Sequence, residues 1–205
     1  GIQGCLFSLS NLAIQGAINA YGSVVVAGSS AAGSIDGFIY VSMNTFHQTA
    51  QTFLSQNIGA GKYDRVKDIL KKCLLCTVVT GAILSTVACV FSQPLLRIYN
   101  QDPAVVAAGT VRLYIAVAPY IIFGLADVLT GAIRGCGSPV RPVVINLLCT
   151  CVFRLLWIAA INTDTMPVTW VYASYPASWL VLLIALAVCW LRLYRRKIRP
   201  HLTPD

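Results

Sequence analysis

The sequence predicts an all-α membrane protein, a bundle of six transmembrane helices, and three observations carry that expectation. The chain is 57% hydrophobic and 11% charged, with a mean hydropathy of +0.73, whereas soluble domains carry about 25% charged residues. Apolar windows at 2–20, 24–56, 69–91, 104–133, 143–161 and 170–194 approach the ~20 residues that a helix needs to cross the hydrocarbon core. Twelve of the fifteen Lys and Arg residues fall in three clusters separated by basic-poor connections.

Those clusters are Lys62 to Lys72, Arg134 with Arg141, and Arg192 to Arg199; the intervening connections near Tyr21, Asn100 and Asp164 hold one basic residue, Arg97. Basic residues are retained on the cytoplasmic side of a bilayer. The alternation therefore predicts a multi-pass plasma-membrane protein with both ends of this segment cytoplasmic. The net charge of +8 is a topogenic signal that meets anionic lipid headgroups at helix ends. Nucleic-acid binding would gather the basic residues on one soluble face, so it is excluded as a function class.

The first window, 2–20, carries Ser8, Asn11, Gln15 and Asn19 on one narrow face at ~100° per residue. The chain begins at Gly1 without a Met or signal peptide, at the mouth of this apolar segment, as expected of a piece of a longer chain. The second window, 24–56, carries Asp36, Tyr40, Asn44, His47, Gln48, Gln51 and Ser55 within an arc of about 120°. A single amide or hydroxyl in a membrane helix is interhelical glue. A stripe of this length reads instead as the wall of a water-filled cavity. Ahead of it, Ala27 to Ser34 is almost entirely small residues, which admits another helix backbone closely.

In the third window, Cys73 and Cys76 form a C-x-x-C. With no second pair and no histidine nearby in sequence, these and the other cysteines read as small buried or lipid-facing thiols rather than zinc ligands. The fourth window, 104–133, contains Pro119, which removes a helical hydrogen bond and bends the span. It also holds Arg112 near its outer end and Asp127 seven residues before Arg134. The fifth, 143–161, holds Arg154 too deep to reach the interface, so it faces protein. The sixth, 170–194, runs into the last basic cluster. Ionisable residues at membrane depth are costly and functional by default; Asp36, His47, Arg112, Asp127 and Arg154 are the candidates. Asp36 and His47 lie about 16 Å apart along one face, two stations on one path. Asp127 has a second reading, a carboxylate paired with a basic residue near the inner interface. Asp36 reads as an uncompensated carboxylate able to exchange a proton or hold a cation.

Two motifs carry a family resemblance that covers essentially the whole chain. The stretch Ser55-Gln56-Asn57-Ile58-Gly59-Ala60-Gly61-Lys62 with the basic start to Lys72, and the stretch Gly131-Ala132-Ile133-Arg134-Gly135-Cys136-Gly137-Ser138-Pro139, resemble the loops after the second and fourth helices of a lobe in the multidrug and toxic compound extrusion (MATE) family. The resemblance implies the carboxyl-terminal six-helix lobe of a twelve-helix transporter, 1–205, with the amino-terminal lobe missing and the substrate cavity between the lobes. It implies a secondary antiporter that exports organic cations or other amphiphilic toxic compounds in exchange for protons or sodium ions, without a cofactor. The chain has no Gly-rich phosphate loop with a lysine. Some sodium-coupled members carry an acidic residue near the position of Phe123, one turn before Asp127. Other members place the proton-coupling aspartate in the other lobe.

The substrate and ion path is thus expected at Asp36, Tyr40, Asn44, His47, Gln51, Asn11, Gln15 and Asp127, with a sodium ion, if one is used, at Asp36 or Asp127. The expected partners are the amino-terminal lobe, amphiphilic small molecules and membrane lipids. A flippase for lipid-linked sugars is the alternative, and would want more cationic residues in its cavity. An intramembrane serine protease would need a G-x-S-G turn that the sequence lacks, so no enzyme is expected.

Overall fold

The computed structural model describes residues 2–161 and 165–202, with side chains described from residue 8. Among these residues every regular element is helical. Helix α1, Ile2–Asn19, turns through Gly22, whose φ of 91° is open to glycine. Helix α2, Ser23–Gly59, runs for 37 residues, about 55 Å at 1.5 Å per residue. It ends where Gly61, at φ 71°, lets Lys62 N–H bond the Asn57 carbonyl at 2.8 Å, a left-handed stop that satisfies otherwise orphaned carbonyls.

After a 3₁₀ turn at Tyr63–Arg65, α3 spans Val66–Val90. Leu75, Val79, Ile83 and Val90 on it are exposed, an apolar stripe suited to lipid. The connection beyond α3 holds a short helix, α4, Ser92–Tyr99, where the sequence reading saw only a loop. Helix α5, Pro103–Val117, starts with Pro103 in its first turn and the Asp102 carboxylate accepting from Ala104 N–H at 2.9 Å, the start signal proline and an acidic cap provide.

The expected fourth span is two helices. Helix α6, Tyr120–Gly135, follows α5 across Pro119 with a bend of 44°. The fifth window is α7, Val140–Asn146, a π stretch over Leu147–Val152, and α8, Phe153–Ala160. Helix α9, Thr169–Leu193, contains Pro176 and continues through a π stretch to a 3₁₀ turn at Arg199–His201. Among the described residues, four helices can cross a membrane by length and composition, or five when the bent α5–α6 pair counts as one span. Helix α1, 18 residues long with Ser8, Asn11, Gln15 and Asn19 along it, is not among them.

Helix α2 is the axis of the bundle, packed against α3, α5 and α6, with α6 also against α9. One core, holding Leu54, Val66, Ile133 and Leu186, ties α2, α3, α6 and α9 together. A second gathers Ile35, Met43, Leu113, Tyr120 and Trp179, and a small third joins Ile14 and Ile18 of α1 to Val171 and Tyr172 of α9. Small residues set the closest approaches. A Cβ on Gly28 would stand 2.7 Å from Gly109 N and Val105 O, so the small stretch Ala27 to Ser34 is where α5 meets α2.

Candidate functional site

Glycines on α6 decide what faces what. Gly124, Asp127, Gly131 and Gly135 recur at helical spacing along one face. A methyl on Gly131 would overlap the His47 carbonyl, and one on Gly135 would lie 2.7 Å from the Gln51 carbonyl. The α6 backbone therefore touches α2 between His47 and Gln51, and Asp127, one turn before Gly131, is delivered to His47.

The two are in direct contact: His47 Nδ1 is 2.9 Å from Asp127 Oδ1 and 2.9 Å from the Asp127 backbone carbonyl. A carbonyl only accepts, so Nδ1 carries the hydrogen and donates it. The Asn44 amide approaches the other carboxylate oxygen at 3.5 Å. The reading in which Asp127 pairs with a basic residue near the inner interface is thus corrected: its partners are on α2, because the glycine contact turns its face inward.

His47 and Asp127 line an open cavity of about 560 Å³ bordered by α1, α2, α6, α7, α8 and α9, within the range of small-molecule sites. Asn11, Asp36, Tyr40 and Asn44 line it too. Gln15 and Gln51 are not among its lining residues. Gln15 donates to Asn19 at 3.0 Å along its own helix, and Gln51 sits where α2 meets Gly135. The sequence stripes therefore converge on one space from two helices, with Asp36 and His47 both on its wall.

An aromatic wall completes it. Phe123 lies 5.9 Å from Tyr40, 5.2 Å from Tyr120 and 5.5 Å from Trp179, and Trp179 lies 6.0 Å from Tyr175, centroid to centroid. Sequence reasoning missed this wall, although its signal was available: Tyr120, Phe123, Asp127, Thr130 and Arg134 follow one another at three- and four-residue steps on α6 and all line the cavity. Faces of such rings attract cations.

Arginines enter as well. Arg154 is buried, donates through Nε to Ser178 Oγ at 2.9 Å and lies 4.6 Å from the Tyr175 ring centroid. Arg112 donates to the Ser29 carbonyl and hydroxyl and stands 5.8 Å from the same ring. Asp36 forms no ion pair among the described residues, and its Oδ1 is buried without a hydrogen-bond partner there. Arg134 and Arg154 also line the cavity, two residues outside the path expected from the sequence.

Among the described residues no group of three or more His, Cys, Asp or Glu side chains could hold a metal ion. Cys73 and Cys76 are both free thiols.

Residues 1–158 match the family model described as MatE. The chain is 23% identical over 180 residues to the probable multidrug resistance protein YoeA of Bacillus subtilis, covering 87% of this chain and 39% of that protein. Its fold is similar, with a TM-score of 0.85 and 17% identity, to that of a transporter of the MOP superfamily from Pyrococcus furiosus, whose reversed binding-pocket polarity is described as suggesting a different function. That likeness covers 100% of this chain and 46% of that one. A MATE transporter of Vibrio cholerae, VcmN, is similar with a TM-score of 0.83 and 15% identity, over 95% of this chain and 44% of that one. The chain spans less than half the length of each of these proteins.

Proposed function

The chain belongs to the MatE family, and we propose that it forms the carboxyl-terminal lobe of a secondary antiporter that exports organic cations and other amphiphilic compounds in exchange for protons. The full transporter pairs it with an amino-terminal lobe in the plasma membrane, both ends of this segment facing the cytoplasm. The observation that carries the reading is the His47–Asp127 pair inside an aromatic cavity.

With neutral imidazole and ionised carboxylate the pair bears one negative charge, and one added proton neutralises it. An organic cation against the carboxylate neutralises it equally well, with the Tyr40, Phe123 and Trp179 rings supplying cation–π contact and apolar area. Leaving a lone charge in a membrane interior is expensive, so the site favours being filled by a proton or by the cation, and disfavours being filled by both or by neither. Exchange follows if the two orientations of the transporter differ in affinity for each ligand, since only differential affinity shifts such an equilibrium. A sodium ion would use a carboxylate of the same cavity, Asp127 or Asp36, and is the competing coupling ion.

The test is efflux of a cationic dye by the full-length transporter in proteoliposomes. Under an imposed proton gradient, Asp127→Asn and His47→Phe are expected to lower transport by about tenfold, which corresponds to ~1.4 kcal/mol. Asp36→Asn is expected to act on substrate binding. Export that follows a sodium gradient and ignores the proton gradient, or unchanged rates in both variants, would sink proton coupling here.

A second reading is favoured by one observation, Arg134 and Arg154 on the cavity wall. A flippase-like carrier of anionic amphiphiles would use them, and it predicts that anionic dyes outcompete cationic ones of similar size.

A further inference from the structure

A second cavity lies elsewhere, on a face of α9 turned well away from Trp179 at ~100° per residue. This groove, about 860 Å³, runs between α7 and α9. Its floor is apolar: Val140, Val144 and Ile145 come from α7, and Ala185, Val188 and Cys189 from α9. Arg192 and Arg196 follow those α9 residues by one and two turns, and Arg141 enters from the first turn of α7. From Ala185 to Arg196 the groove changes from hydrocarbon-like to cationic over about 16 Å.

Three arginines from two helices thus converge on one concavity. None of them forms an ion pair among the described residues, where the His47–Asp127 contact is the salt bridge present. Guanidinium forks bind phosphate oxygens in pairs, and basic pockets between membrane helices at the cytoplasmic surface suit anionic headgroups. If attraction to bulk lipid were the whole purpose, Arg195, Lys197 and Arg199, exposed at the same end of the chain, would serve as well without a groove. We propose that the α7–α9 groove holds one anionic phospholipid, with its phosphate among Arg141, Arg192 and Arg196 and an acyl chain along Val144, Ala185 and Val188. This site does not depend on the transport reading, since it shares no lining residue with the aromatic cavity.

The test uses the full-length transporter in detergent, followed by native mass spectrometry during titration with phosphatidylglycerol, with phosphatidylcholine of the same acyl chains, and with glycerol 3-phosphate. One phosphatidylglycerol per chain should be retained, phosphatidylcholine should not be, and glycerol 3-phosphate should fail to compete. The triple variant Arg141→Gln, Arg192→Gln, Arg196→Gln should weaken retention about tenfold or more, whereas Arg195→Gln, Lys197→Gln, Arg199→Gln should leave it nearly unchanged. Ala185→Trp keeps every charge and fills the groove, so it should also abolish retention; it decides the matter if the triple variant cannot be recovered. Equal binding of phosphatidylcholine, equal loss in the two triple variants, competition by glycerol 3-phosphate, or full retention by Ala185→Trp would each overturn the proposal.

Discussion

His47 on α2 donates its Nδ1 hydrogen to the carboxylate of Asp127 on α6 across 2.9 Å, and to the carbonyl of the same residue. Two hydrogen bonds from one N–H to one residue fix the imidazole edge-on to α6 and fix its tautomer. That leaves Nε2 as the nitrogen whose protonation changes the charge of the pair. The contact exists because α6 has glycines at the crossing, so the distance between two polar groups is governed by residues that carry no chemistry.

Replacing Gly131 tests that dependence. A methyl there meets the His47 backbone carbonyl, which cannot swing away as a side-chain tip would. Gly131→Ala should destabilise the fold by ~1–3 kcal/mol, as overpacking does, and should also separate His47 from Asp127. Gly16→Ala, where nothing lies within 4 Å of the added carbon, should be neutral or mildly stabilising. Thermal unfolding in detergent, monitored by size-exclusion fluorescence, reads both; equal midpoints would dismiss the glycine crossing as a constraint.

The α2 wall was legible because polar residues in an apolar helix stand out: Asp36, Tyr40, Asn44 and His47 share a face at helical spacing, and all four line the cavity. The α6 wall was not, because Tyr120 and Phe123 look like lipid-facing residues to any hydropathy measure, and the bend at Pro119 hides where that helix begins. Arg154 was expected to face protein and does, but its partners, the Ser178 hydroxyl and the Tyr175 ring, come from α9. That pairing depends on how helices cross. Hydropathy fixes which segments enter the membrane; rotation about each helix axis is set by Gly28 against Gly109 and by Gly131 against His47, contacts with no periodic signature. Gln15 and Gln51 lie on their polar stripes by angle, but Gln15 turns to Asn19 on its own helix and Gln51 sits where the α6 backbone meets α2 at Gly135.

Cys136, in the turn after α6, gives a pH-dependent prediction. Burial pushes its thiol up to about 12, opposed in part by the charge of Lys197, against about 8.5 for an ordinary cysteine. The folded state therefore keeps this proton longer than the unfolded state does. The resulting stability is fully present below the unfolded value and is lost as pH rises toward the folded one. At pH 8 N-ethylmaleimide should modify the exposed Cys76 well before Cys136, by peptide mass mapping. Comparable rates at the two thiols would contradict the buried, protonated state.

The basic clusters predict orientation. Tyr21 donates to the Met166 carbonyl at 2.9 Å, so the α1–α2 and α8–α9 connections lie at one end, the end expected outside; Asp164 itself falls beyond the described residues. Asp102 is expected at that outer face and Lys67 inside, and both are exposed. On a cysteine-free background in intact cells, Asp102→Cys should react with an impermeant maleimide and Lys67→Cys should not. Because Asp102 caps α5 and losing a cap costs ~1 kcal/mol, Gln101→Cys serves as a gentler probe of the same face. Labelling at 67 but not at 101 would invert the topology.

Asp36 and Arg154 should prove interdependent. Both line one cavity, and Arg154 is held there by Ser178 and Tyr175. Arg154 is buried and bonded to Ser178, and removing one partner of such a buried polar contact costs ~1–3 kcal/mol. Arg154→Gln alone should therefore lower stability sharply, and Arg154→Lys should rescue little, since an ammonium does not reproduce the planar group lying against Tyr175 and bonded to Ser178. Asp36→Asn alone should cost less, because Arg154 keeps its hydroxyl and ring partners. The double variant Asp36→Asn, Arg154→Gln should be more stable than the sum of the single effects predicts, with a coupling of ~0.5–3 kcal/mol in a double-mutant cycle. Unfolding of the detergent-solubilised transporter supplies the four stabilities. Additive losses would mean that the two charges do not communicate, leaving Asp36 free to serve as an independent cation site in the cavity.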